Sequence, residues 1–188
     1  MKKVRYTKKF EILINPTWDQ QLEREPLLAF SFILSTRNNQ LSTVADEILD
    51  LLDAGISESF IDTNKTTKAG ILMWLWILGA YEIVRTMCQA SNCFSLEYME
   101  KLRPLKNKLA KIRMPDSKME KQGKKQPVSS NRSPWCEVQK TKDLLIGDPE
   151  EAYSTREIID YYFSIIYSLT SKDIMGNHEA SYSKPFSI

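Results

Sequence analysis

The stretch TTKAGILMWLWILGAYEIVRTMCQ, residues 66–89, decides the fold. From Ile71 to Leu78 it is apolar on every side of a helix, and from Tyr81 it turns amphipathic through Glu82, Ile83, Val84 and Arg85. A helix of that kind belongs at the centre of a larger helical body. The near-continuous apolar run, Ala69 to Tyr81, falls short of the roughly 20 residues that cross a bilayer, so a membrane-spanning role is excluded at this stage.

Working outward, residues 43–54 place Val44, Ile48, Leu51 and Leu52 on one stripe, with Asp46, Glu47, Asp50 and Asp53 away from it and Gly55 as the stop. Upstream, Thr17 and Gln20 have capping-box spacing for a helix at 18–25. Pro26 then starts a second apolar helix that Arg37-Asn38-Asn39 ends. Downstream, Ser95 caps a helix whose Leu102, Leu105, Leu109 and Ile112 recur at helical spacing, with Pro104 expected to kink it or split off its first turn. Ser154 and Glu157 open a final helix through Ile158, Tyr162, Ile166 and Leu169. Phe10, Ile12 and Ile14 alternate as in a short strand, and Trp135–Val138 with Leu144–Ile146 form a candidate hairpin.

The fold class is therefore mainly α: a multi-helix bundle of five or six helices around residues 66–89, with minor β content at 4–14 and 135–146. The 188 residues, 42% apolar and 27% charged, suit one domain over 1–170, containing a basic loop at 114–134 that is either functional or disordered. Residues 171–188, polar apart from Ile174, Met175 and Phe186, read as a poorly ordered tail.

Several chemistries drop out. The two closest of the six glycines are nine positions apart, so no Gly-rich phosphate loop exists. Cys88, Cys93 and Cys136 with the lone His178 do not make a zinc ligand set, and an odd cysteine count suits reduced thiols in a cytoplasmic protein. His178 also lacks the Arg, separated from it by four to six intervening residues, that marks a family of helical ribonucleases; Ser171, Lys172 and Asp173 hold those places. No metal or cofactor is expected. Asp46, Asp50 and Asp53 share a helical face, read chiefly as solvated, with a hard cation or a basic segment as the alternative occupants.

Charge is strongly segregated beneath the formal net of +2: +5 over residues 1–9, −8 over 10–100, +10 over 101–142 and −5 over 143–188. Within the basic block, Lys101, Lys108, Lys111, Arg113 and Lys118 lie on one helix. Lys121, Lys124, Lys125 and Arg132 follow in the loop, and Trp135 offers a face for an unpaired base. The leading expectation is a non-enzymatic cytoplasmic module that contacts a nucleic-acid phosphate backbone through residues 101–132. The alternative is a protein-interaction or self-assembling regulator in which acidic and basic segments meet. Third comes an acid/base enzyme using Glu82 in a pocket, with Arg85 as anion holder; the favoured reading of these two residues is instead a structural ion pair, buried or at the exposed end of the core helix.

Overall fold

The computed structural model describes residues 5–7, 15–124, 126–128, 142–148 and 150–179, with backbone alone at 116 and 117. The chain is a mainly helical bundle. Helix α1 (Trp18–Arg24) starts on the Thr17–Gln20 capping box, and the single turn α2 (Leu27–Phe30) follows Pro26. Ser31 is extended and caps α3 (Phe32–Gly55); Asp62 caps α4 (Thr63–Gln89); Ser95 caps α5 (Leu96–Lys118); and Ser154 caps α6 (Thr155–Ile166). Each cap oxygen accepts one of the backbone N–H groups that a helix start leaves unpaired.

Helices α3 to α6 run up and down in turn. Gly55 meets Thr66 and Gly79 meets Leu41 across α3 and α4. Arg113 lies over Tyr81 across α4 and α5, and the Tyr98 hydroxyl donates to the Ile165 carbonyl across α5 and α6. Helix α6 reaches back to α3 through Tyr162–Asn38 and Arg156–Asp53. The stripe of α4 carrying Ala69, Met73, Trp76, Ala80, Val84 and Met87 is buried against these neighbours. Trp76 meets Tyr162 edge-on at 5.1 Å between ring centroids, and Tyr162 meets Phe163 likewise at 5.0 Å. Helix α4 is apolar all round in sequence, yet Ile71, Trp74 and Leu75 remain exposed on its outer side.

Several elements differ from expectation. Helix α3 runs unbroken through Arg37-Asn38-Asn39, where two helices were expected, because Asn38 turns inward and accepts a hydrogen bond from the Tyr162 hydroxyl at 3.0 Å. Helix α5 is continuous across Pro104 and extends through Pro115. An interior proline costs about 3 kcal/mol, which the burial of Leu102, Leu105, Leu109 and Ile112 offsets. Part of the expected 114–134 loop is thus helix; beyond it Glu120 and Pro127 bridge as a tight turn.

Leu145–Ile146 pairs antiparallel with Tyr153–Ser154. The expected partner segment 135–138 lies outside the described residues, as does the expected strand at 4–14 apart from residues 5–7. The expected tail is docked as far as it is described. Ile174 bridges Phe94, Met175 N–H donates to the Cys93 carbonyl, and His178 N–H donates to the Phe30 carbonyl.

By length and composition α4 could also cross a membrane, since its 27 residues contain an 18-residue window of mean hydropathy 1.4. The sequence argument against spanning therefore fails, although a packed core helix passes the same test.

The Asn38–Tyr162 pair should be worth more than its hydrogen bond, because losing one partner strands the other in the core. Asn38→Ala and Tyr162→Phe are each expected to lower the unfolding free energy by about 1–3 kcal/mol, and the double variant by less than their sum. Urea titration of the three variants reads this.

Candidate functional site

Between α3 and α4, on the side facing away from α5 and α6, lies an open groove of about 490 Å³. Its walls are mostly aliphatic: Leu34, Leu41 and Val44 from α3, Leu72 and Leu75 from α4, with Trp76 beneath. One end is polar, where Arg37, Gln40, Glu82 and Thr86 converge. Gly79 sets the depth. A Cβ there would stand 3.0 Å from Leu41 Cδ2, so the missing side chain lets the two helices close on each other. The Trp76 indole N–H donates to the Leu41 carbonyl at 3.1 Å, which fixes the helix spacing from below.

Glu82 faces this groove, but its partner is already chosen. Arg85 Nε donates to Glu82 Oε2 at 2.7 Å and its Nη2 lies 2.6 Å from the same oxygen. The two side chains are 48% and 41% exposed, so the pair is the exposed ion pair favoured from sequence and not a buried one. Arg37 differs, because the hydrogen bond its guanidinium makes is to the neutral Gln40 side-chain carbonyl, at 2.9 Å. Periodicity marked α4 as core but could not mark the groove, because its walls come from two helices whose register the sequence does not display.

The basic block does not form one outward zone among the described residues. Lys101 pairs with Glu97 at 3.1 Å, Lys111 with Glu151 at 3.0 Å, Lys121 with Glu150 at 2.5 Å and Asp148 at 3.5 Å, and Lys142 with Glu58 at 3.3 Å. Lys108 hangs over the rings of Tyr153 and Tyr161. Arg113 lies 4.7 Å from the Tyr81 centroid, with its Nε buried and without a hydrogen-bond partner. Arg103, Lys106, Lys118 and Lys124 have no ion pair among the described residues, and Lys106 and Lys118 stand about 18 Å apart along the helix axis. Lys125, Arg132 and Trp135 lie outside the described residues.

The acidic face of α3 is covered by the chain's own amino-terminal segment. Asp46 accepts from the Tyr6 and Thr7 backbone N–H groups at 2.7 and 3.0 Å, Arg5 pairs with Asp50, and Arg156 pairs with Asp53 at 2.7 Å. Of the occupants considered for this face, the described residues supply a basic segment, and they contain no cluster of three or more metal-binding side chains. The Tyr6 ring stacks on Phe163 at 4.5 Å while its hydroxyl donates to Asp160. Cys88 is half-buried and Cys93 buried, and burial raises both thiols above the ordinary value.

Burial, followed by the Asp160 bond, pushes the Tyr6 hydroxyl far above its ordinary value. A raised folded-state value favours the native state fully below the unfolded value near 10, and that contribution fades as pH rises beyond it. Between about pH 9 and pH 11 the wild type should therefore lose more thermal stability than Tyr6→Phe, whose ring cannot ionise on undocking. Thermal melts of both proteins across that range check the sign.

The chain matches no protein-family model, no curated protein and no solved structure.

Proposed function

We propose that the chain is a non-enzymatic protein-interaction module that holds a helical polypeptide along the α3–α4 groove. The observation carrying this reading is the groove itself: an open aliphatic channel running along two helices, with Arg37 at one end bonded to a neutral amide. Its volume falls within the 300–1,000 Å³ usual for ligand sites, and its length suits an amphipathic helix that presents apolar side chains at i, i+4 and i+7. A carboxylate near one end of that helix would answer the Arg37 charge. The internal pairing of Lys101, Lys111, Lys121 and Lys142 supports the reading from the other side, since it weakens the field a polyanion would meet at those four positions.

Selection of a displayed library of amphipathic helical peptides on the immobilised full chain tests it. Enriched sequences are expected to carry apolar triplets with an Asp or Glu, and to lose binding at least tenfold on Val44→Asp. No enrichment, or peptides indifferent to that change, overturns the reading.

Phosphate-backbone contact through 101–132 is a second reading, favoured by Arg103, Lys106, Lys118 and Lys124, which lack ion pairs among the described residues. Split into two separated pairs, they can neutralise few phosphates at once. The affinity for a single-stranded oligonucleotide should therefore fall with salt at a log–log slope of only about −1 to −3, against the far steeper slope of a block acting together. Fluorescence anisotropy at stepped salt measures it.

A further inference from the structure

Residues 5–7 sit on the body of the protein as a short peptide sits on a receptor. Both oxygens of one carboxylate, Asp46 of α3, accept from consecutive backbone N–H groups, Tyr6 at 2.7 Å and Thr7 at 3.0 Å. Successive N–H groups of a strand point to opposite sides, so the segment is bent here into the concave form that suits an anion. The Tyr6 carbonyl accepts from the Tyr167 hydroxyl at 2.7 Å, at the end of α6. These three backbone groups are therefore bonded by side chains of the body and not by a helix or strand ladder.

The side chains of the segment are read as well. The Tyr6 ring stacks on Phe163 at 4.5 Å, its hydroxyl donates to Asp160 at 3.0 Å, and the Arg5 guanidinium pairs with Asp50. Backbone capture that supplies affinity, joined to separate places for a ring and a cation that supply selectivity, is the arrangement by which domains recognise peptides. Every receiving group belongs to α3, to α6 or to the residue that caps α6, and the core fixes those elements through Ile48, Leu52, Tyr162 and Phe163. The socket is built independently of the segment that fills it.

This face lies on the other edge of α3 from the groove and does not depend on the reading of the groove. We propose that the α3–α6 socket is a docking site for basic segments of other polypeptides that carry an Arg-Tyr step, and that the amino-terminal arm is its intramolecular competitor.

The arm defines the chemistry of the partner. Residues 1–9 carry a charge of +5, and Asp46, Asp50 and Asp160 converge on the socket, so a basic segment from elsewhere is drawn by the same field. The tether between Tyr6 and α1 is short, and a ligand on a short flexible tether acts at an effective concentration in the millimolar range. A free segment of equal intrinsic affinity therefore loses to the arm at micromolar concentration. The arm sets a threshold, which a partner passes by binding more tightly or by meeting a chain whose arm has been released.

Fluorescence anisotropy of a labelled peptide with the sequence of residues 2–9, read on the full chain, tests the proposal. Arg5→Glu/Tyr6→Ala vacates the socket, and this variant is expected to bind the peptide at least tenfold more tightly than the wild type. In the same background Asp46→Asn should weaken binding at least tenfold, and a peptide of identical composition in scrambled order should bind at least tenfold more weakly. Far-ultraviolet circular dichroism and a cooperative melt verify that the variants are folded. Arg5→Glu alone, at an exposed position, keeps the comparison available if the double variant unfolds, and it is expected to bind at least threefold more tightly than the wild type.

Folded variants that bind no better than the wild type overturn the proposal, as does an affinity indifferent to Asp46→Asn. Equal binding of the scrambled peptide overturns it too, because attraction between opposite charges would then account for the whole signal.

Discussion

The structure depends on the burial of Trp76. Its indole is fully enclosed, touches Tyr162 and Phe163 of α6, and must place an N–H where no water reaches. A buried tryptophan needs a partner for that N–H, and the Leu41 carbonyl of α3 provides it at 3.1 Å. One side chain thus ties α4 to α3 and to α6. Truncating such a residue costs about 3–5 kcal/mol, a large share of the stability of an ordinary domain. The close approach that brings Leu41 within reach requires Gly79, and the same Leu41 then forms a wall of the open groove. The groove's depth is a consequence of how the core is closed.

Local chemistry was legible in the sequence where it acts over a few residues. Thr17, Ser95 and Ser154 start helices because a hydroxyl three residues before an unpaired N–H does the same work in any context. Residues whose role depends on a distant partner were not legible. Asn38 has the polarity of a helix end, and only Tyr162, brought in by α6, makes it an interior residue. Pro104 has the chemistry of a helix break, yet α5 continues past it where leucines on both sides are buried. The segment after Thr170 is polar enough to fray, yet Ser95 donates to Asp173, and Cys93 and Phe30 offer carbonyls to the backbone that follows. Those acceptors cannot be seen in a linear pattern.

The charge map shows the same division. Segment totals were plain from sequence, but not where each block points. The −8 and −5 blocks supply Asp50, Glu58, Asp148, Glu150 and Glu151, and the +5 and +10 blocks meet them with Arg5, Lys142, Lys121 and Lys111. Each such surface pair is worth at most about 1 kcal/mol, so these contacts do not hold the fold together. Their effect is on the field: opposite charges a few ångströms apart cancel beyond a Debye length of about 8 Å. Among the described residues of the block, Lys101, Lys111, Lys121 and Lys142 are screened in this way, while Arg103, Lys106, Lys118 and Lys124 are not.

Helix α3 contains its own comparison between a wetted surface and one built for contact. Along one outer stripe it carries Asp46, Asp50 and Asp53, which take up Arg5, two backbone N–H groups and Arg156. Along the groove stripe it carries Leu34, Leu41 and Val44, facing Leu72 and Leu75. The fully buried side of α3 is supplied by Ala45, Ile48, Leu49 and Leu52, and Leu34, Leu41 and Val44 pack half-buried at its edge. Scattered exposed apolar side chains are ordinary on any protein, but a contiguous row along two adjacent helices is not. Within one chain the half-buried members of the row, Leu34, Leu41, Val44 and Leu72, pack against the core and stabilise it, whereas Leu75 and Ile33 leave apolar area in water.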